Sequence, residues 1–307
     1  QDGQGAGRLG RSGTAGVERR RIVGRLDRCR DTAGVIAAAR EAFAAATPAG
    51  SARYFAWLYA HPKQRATLEL LLALEYELES SVRPAIDHAV AHARLEWWEA
   101  EAERLLRGTA QHPIAQMLGS TRTTRPCPPI DLRAFIATLH WDLAGTPLTT
   151  SAEWQHYARS WSRAFFEPLV RLLVAGDADE APVLETSRNS IENYAQRAGG
   201  ALGIARSLRR SAPLTPEDGG SGTGDFERTA LRSAALTDLR TAVATLAPTD
   251  QPRLRPTLVW LGCQYDAVSR NADVIPPSGW SLLRANFRAW RFARCATAQT
   301  FELSGAT

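Results

Sequence analysis

Apolar residues recur along most of this chain with a helical period, and breaks rich in Gly, Pro and Ser divide them into a series of helices. The clearest run is Arg65–Ser81, RATLELLLALEYELESS, which contains neither Gly nor Pro. Leu68, Leu71, Leu72, Leu74 and Leu78 form a wide apolar stripe along it. Glu75 and Glu79 are four residues apart and stack on one face, with Arg83 one turn further on. Pro84 restricts Arg83 and ends the run. A second helix is expected from Asp87 to Leu106, stopping at Gly108 and carrying the anchors Trp97 and Trp98. A carboxylate-bearing helix packed against this Trp-bearing helix would form one wall of a helical cavity.

The flanking pattern is also helical. Asp31–Ala46 is Ala-rich, and Ser51 can cap ARYFAWLYA, which ends before His61-Pro62. Pro113 opens a short helix to Leu118, and Thr121–Pro129 reads as a loop. Asp131 caps a helix to Leu143, and Ser151 opens a long one with Pro168 as a kink. Glu185–Arg210 carries the small patch Ala198-Gly199-Gly200-Ala201, where another helix can approach closely. Pro213–Gly224 is a flexible loop. Helices follow at Phe226–Leu246, Leu258–Arg270 and, capped by Ser278, to the C-terminal side. No stretch alternates as a strand. The expected fold is all-α, with a single helical domain over residues 31–307 and an Arg/Gly-rich N-terminal extension over 1–30.

Composition adds three constraints. At 307 residues and 44% hydrophobic, the chain can bury a full core. No window is apolar enough for a transmembrane helix, and peripheral contact with a membrane is expected. The net charge is +5, and nearly all the positive charge is Arg, with Lys63 the lone Lys. Arg suits bidentate grips on phosphate or carboxylate, though a GC-rich genome also favours it. No nucleic-acid partner is expected. The stretch Arg8–Arg30 is Arg-rich and acid-poor, a composition like that of an organelle presequence.

Candidate metal chemistry is sparse. Cys29, Cys127, Cys263 and Cys295 have no ligand spacing and read as free thiols. His88 and His92 are an i, i+4 pair without a metal-site context. Glu75, Glu77 and Glu79 have an ordinary reading as the solvated face of a helix.

The order of these segments resembles the squalene/phytoene synthase family, the head-to-head prenyltransferases, from about Ala52 to Ala293. The pieces are ARYFAWLYAHPKQRATLELLLALEYEL, the step RLEWWEAE with Arg94, Leu95 and Trp98, the short HPIAQML, the segment with Asp142, Leu143 and Tyr157, and the helix GGALGIARSLRR. The resemblance implies an isoprenoid synthase-like bundle with a central cavity. It also implies two aspartate-rich helices whose carboxylates hold Mg²⁺ against a diphosphate. Both motifs depart from the family pattern. The first falls on Glu79 and Arg83, and the pair Glu75 and Glu79 restores two carboxylates only by a register shift. The second falls on Arg209-Arg210-Ser211-Ala212-Pro213-Leu214, with Glu217 and Asp218 further on in the loop. Arg206, Arg209 and Arg210 would repel divalent ions and could hold an anionic headgroup instead. Capping of a helix C-terminus explains them equally well.

Two functions from different classes follow. In the first, the fold is a catalytically degenerate scaffold with no cofactor. It resembles the mitochondrial branch that assembles respiratory complex I on the matrix side of the inner membrane. Its partners would be respiratory-complex subunits, with a lipid or isoprenoid in a cavity lined by Trp98, Trp161 and Phe165. In the second, it is a divergent prenyltransferase, a bacterial cytoplasmic enzyme for instance, using Mg²⁺ on Glu75, Glu79 and Glu192, with Asp142 in support. A lipid-binding protein without turnover, its pocket also lined by Phe166 and Leu169, is the third reading. Plain core packing accounts for the same aromatics.

Overall fold

The computed structural model describes residues 33–124, 131–145, 148–175, 185–210, 222–269 and 280–294. Among these every regular element is helical. In chain order they are α1 (33–46), α2 (Ala52–Leu58), α3 (Pro62–Ser80), α4 (His88–Leu106), α5 (Pro113–Thr124), α6 (Leu132–Ala144) and α7 (Ser151–Trp161). A π-helical turn (Ser162–Phe166) joins α7 to α8 (Glu167–Ala175). Then follow α9 (Glu185–Arg210), α10 (Gly222–Thr245), α11 (Arg255–Ser269) and α12 (Trp280–Arg294). The N-terminal extension, Ser278 and the segment 211–221 lie outside the described residues.

Local chemistry sets the boundaries. The Ser51 hydroxyl accepts from the Tyr54 N–H, and the Asp87 and Asp131 carboxylates cap α4 and α6. Thr150 and Glu153 form a capping box at the start of α7. Two expectations need correction. The loop from Thr121 starts later, because α5 runs on through Thr124. Gly222–Gly224 belong to α10 rather than to a loop. At Pro168 the helix widens rather than breaks. Proline lacks an N–H and crowds the carbonyl four residues back, and the π turn just before it absorbs the mismatch.

The core is continuous from α1 to α12. The stripe Leu68, Leu71, Leu72, Leu74 and Leu78 is buried throughout, at 2% exposure or less. Helix α9 is central and packs on α7, α10 and the π turn. Its glycines make this possible. A Cβ at Gly203 would lie 2.7 Å from the Ala158 backbone, and one at Gly199 would meet Ser162 and Phe166. Helix α4 packs on α5 and α6; the wall facing the α3 carboxylates is built by other helices.

The α4–α5 junction contains a titrating group. Glu101 is fully buried and accepts from the backbone N–H groups of Gln111 and His112, both at 2.7 Å. His112 rests on Trp98, ring centroids 4.6 Å apart, and its Nδ1 accepts from the Ile114 N–H. Burial holds the His112 pKa below its ordinary 6.5; the Glu101 carboxylate opposes that shift without cancelling it. The folded state therefore binds fewer protons here than the unfolded chain just below pH 6.5. This stabilising contribution is complete above that pH and is lost as pH falls toward the depressed folded value. In His112→Asn, where the amide oxygen can still accept, the fall in melting temperature from pH 7 to pH 5 should be shallower. Calorimetry at several pH values checks this, and an unchanged slope would contradict it.

Candidate functional site

A cavity of about 370 Å³ opens between α3 and α9, with α2 and α11 completing its walls. Val82, Trp161, Leu202 and Trp260 form its apolar side. Arg53, Glu75, Glu79, Arg83 and Arg206 form its charged side.

The charged side is a chain of ion pairs across five helices. From α2, Arg53 donates through Nε to Glu75 Oε2 at 2.9 Å and through Nη2 to Glu79 Oε2 at 3.0 Å. From α9, Arg206 donates through Nη1 to Glu79 Oε1, through Nη2 to Asp142 Oδ2 of α6 at 2.6 Å, and through Nε to Tyr157 Oη of α7 at 3.0 Å. Tyr157 then donates to Asp142 Oδ1 at 2.7 Å. Three carboxylates thus share two guanidiniums. The side chains of Glu75, Asp142 and Arg206 are at most 9% exposed, so each charge depends on these partners.

Several expected residues meet here. Glu75 and Glu79 share one face, as their spacing implied, but it is not a solvated face: Glu75 is 1% exposed. Burial also raises the Glu77 carboxyl, against the opposing pull of Arg83 and Arg94. Trp161 lines the cavity as expected. The Arg206 guanidinium is gripped by Glu79, Asp142 and Tyr157, so it is committed to the protein rather than presented to a headgroup. The side chains of Arg209 and Arg210 lie outside the described residues, as do Glu217 and Asp218.

Other expectations are corrected. Glu192 is on the outer side of α9, 40% exposed and paired with Arg171 at 2.7 Å, so it is not a cavity ligand. Trp98 is buried in the α4–α5 junction, away from the cavity. Phe165 stands one layer behind the wall, packed against Trp161 and Trp260, and Phe166 and Leu169 are core. Arg53 was not singled out from the sequence. The available signal was indirect: carboxylates on a Leu-rich stripe need cations, and Arg53 follows the capping Ser51 of a short apolar helix.

The donor set can be tested against Mg²⁺, which needs near-octahedral oxygen ligands at about 2.0–2.1 Å. Arg53 bridges Glu75 and Glu79, so a guanidinium stands where a bridging ion would sit. A divalent ion about 4 Å from one guanidinium is repelled by roughly 8 kcal/mol at an effective dielectric near 20. These residues do not fit a magnesium cluster in this arrangement. Among the described residues, no three His, Cys, Asp or Glu are grouped to hold a metal ion. His88 and His92 pair on the surface, Nε2 to Nε2 at 3.1 Å. Cys263 is a free thiol, pushed up to about 12 by burial, and the other three cysteines lie outside the described residues. No described helix is long and apolar enough to cross a membrane.

Comparison with known proteins identifies the family. The family model described as squalene/phytoene synthase matches residues 46–218, more than half of the chain. The matched region runs from the end of α1 past α9 and contains every residue of the ion-pair chain. No curated protein and no solved structure matches the chain.

Proposed function

The chain belongs to the squalene/phytoene synthase family, and from that premise we propose that it keeps the family's helical bundle without its magnesium-dependent reaction. The carrying observation is the pair of guanidiniums, Arg53 and Arg206, set between the carboxylates that would otherwise hold metal. In this reading the former reaction centre is a structural clamp that ties α2, α3, α6, α7 and α9 together. The bundle then serves as a scaffold or assembly component. The proposed setting is a mitochondrial respiratory complex of the complex I type, at the matrix side of the inner membrane. The Arg-rich, acid-poor stretch Arg8–Arg30 supports that location. The cavity that remains is apolar on one side and cationic at Arg83, a chemistry suited to a lipid or isoprenoid tail with an anionic end.

The test has two arms. Incubation with farnesyl or geranylgeranyl diphosphate and Mg²⁺ is expected to release no diphosphate above a protein-free control. Magnesium-dependent release that Glu79→Ala abolishes would restore the prenyltransferase reading. Purification from the native source is expected to bring respiratory-complex subunits with the protein. A monodisperse monomer without such partners would end the assembly role.

A further inference from the structure

Helix α12 (Trp280–Arg294) lies beyond the matched region and presents two unlike faces. Ala289 is fully buried and Phe292 is 2% exposed. Phe292 packs where a Cβ on Gly262 of α11 would otherwise reach. On the opposite side, Leu283 and Phe287 are each 58% exposed and Trp290 is 42% exposed. Their i, i+4, i+7 spacing places them on one line along the helix. Phe287 and Trp290 stack with ring centroids 5.6 Å apart, and the Arg294 guanidinium lies 5.2 Å from the Trp290 ring centroid.

Charge distinguishes this face from an ordinary sticky patch. The helix carries Arg284, Arg288, Arg291 and Arg294 and no Asp or Glu. At 100° per residue, Arg284 and Arg291 project along one flank of the apolar line, while Arg288 between them is half-buried near Cys263 of α11. Large exposed apolar side chains beside cations, over a face anchored to a folded core, match an anionic bilayer surface. The rings enter the headgroup–acyl boundary while guanidiniums meet the phosphates. A duplex nucleic acid would use the cations but leave the leucine and the stacked rings without a role. We propose that α12 docks this protein onto anionic lipid membranes through Leu283, Phe287 and Trp290, with the flanking arginines supplying electrostatic attraction.

The proposal specifies how the protein would sit at the inner membrane in the function proposed above, but it rests on a different surface. A chain that binds vesicles yet recruits no respiratory subunit leaves the docking face standing and removes the assembly role. The experiment is flotation of the full chain with phosphatidylcholine vesicles, with and without 30 mol% cardiolipin or phosphatidylserine. Co-flotation is expected with the anionic vesicles, and it should weaken as salt is raised. Phe287→Ser with Trp290→Ser should reduce it at least tenfold, and each of Arg284→Gln and Arg291→Gln about fivefold. The substituted side chains are exposed or half-buried, so circular dichroism should show an unchanged fold. Equal flotation with neutral and anionic vesicles, or by the double variant, would overturn the proposal. So would a wild-type homodimer that Phe287→Ser converts to monomer, which would make the face a self-association surface. Tight binding to duplex DNA without vesicle binding would overturn it equally.

Discussion

Replacing Arg206 with Met is expected to lower the thermal unfolding midpoint by roughly 10 °C. The substitution keeps much of the aliphatic volume but removes the one group that contacts Glu79, Asp142 and Tyr157. The Asp142 side chain is 4% exposed, so losing the guanidinium would leave its charge less well compensated in a poorly solvated site, with the Tyr157 hydroxyl still donating to it. Removing one partner of a buried ion pair typically costs about 3–5 kcal/mol, and in a domain of this size each kcal/mol moves the midpoint by about 2–4 °C. Glu79 is 22% exposed and retains Arg53, so its share is discounted for solvent. Two further variants isolate the cause. Arg206→Lys keeps the charge but not the planar fork that reaches three partners, and should recover only part of the loss. Adding Glu79→Gln and Asp142→Asn to Arg206→Met should recover about half of it, because the uncompensated charge is gone. A loss below about 1 kcal/mol in Arg206→Met would mean that the clamp is not structural, and would weaken the proposal that guanidiniums have replaced metal as the organising charge.

Valine at position 203 is expected to be the most damaging small change in α9, at about 3 kcal/mol or more. A Cβ there meets the Ala158 Cα and carbonyl oxygen, both at 2.7 Å. Backbone cannot rotate aside as a side chain can, so α7 and α9 would have to separate. The effect extends to the cavity, since the same helix pair carries Tyr157 and Arg206 and separation would lengthen their 3.0 Å contact. Neighbouring glycines provide the internal scale. A Cβ at Gly200 meets nothing within 4 Å, so Gly200→Ala should be neutral or stabilise by about 0.5–1 kcal/mol through helix propensity alone. Gly199→Ala should fall between them, because it meets side chains rather than backbone: the Ser162 hydroxyl can rotate away only by giving up its bond to Glu167, and the Ser162 Cβ at 2.9 Å and the Phe166 ring at 3.0 Å must shift slightly. Urea titrations of the three variants check the order. Equal stabilities for Gly203→Val and Gly200→Ala would refute the close-approach account.

The two series concern one device. Close packing at Gly203 brings α9 near enough to α7 for Arg206 to enter the carboxylate cluster, and the cluster then holds α9 against α2, α3 and α6. In the proposed function this device takes the place of a metal in bringing the acidic helices together.

Helix identity was legible in the chain because periodicity and punctuation are local. The five stripe leucines of α3 repeat at helical intervals, and Ser51, Asp87 and Asp131 satisfy N–H groups within a few residues of themselves. The stacking of Glu75 with Glu79 followed from helical geometry, as did the close approach near Gly199. The family resemblance was likewise legible, since it depends on the order of segments, and the match over residues 46–218 bears it out for the part of the chain from Ala52 through α9. What those segments do to one another was decided only in three dimensions. Glu75 has the local signature of a solvated face, yet α2 brings Arg53 over it from 22 residues upstream. Arg206 looked like one of three cations at a helix end, and it became the centre of the cluster only because α6 and α7 place Asp142 and Tyr157 beside it. Glu192 went the other way, a plausible ligand by composition that α9 turns outward to Arg171. A residue's propensity depends on neighbours along the chain and can be read there. The partner of a buried charge depends on which distant helix packs above it, and only the folded chain determines that.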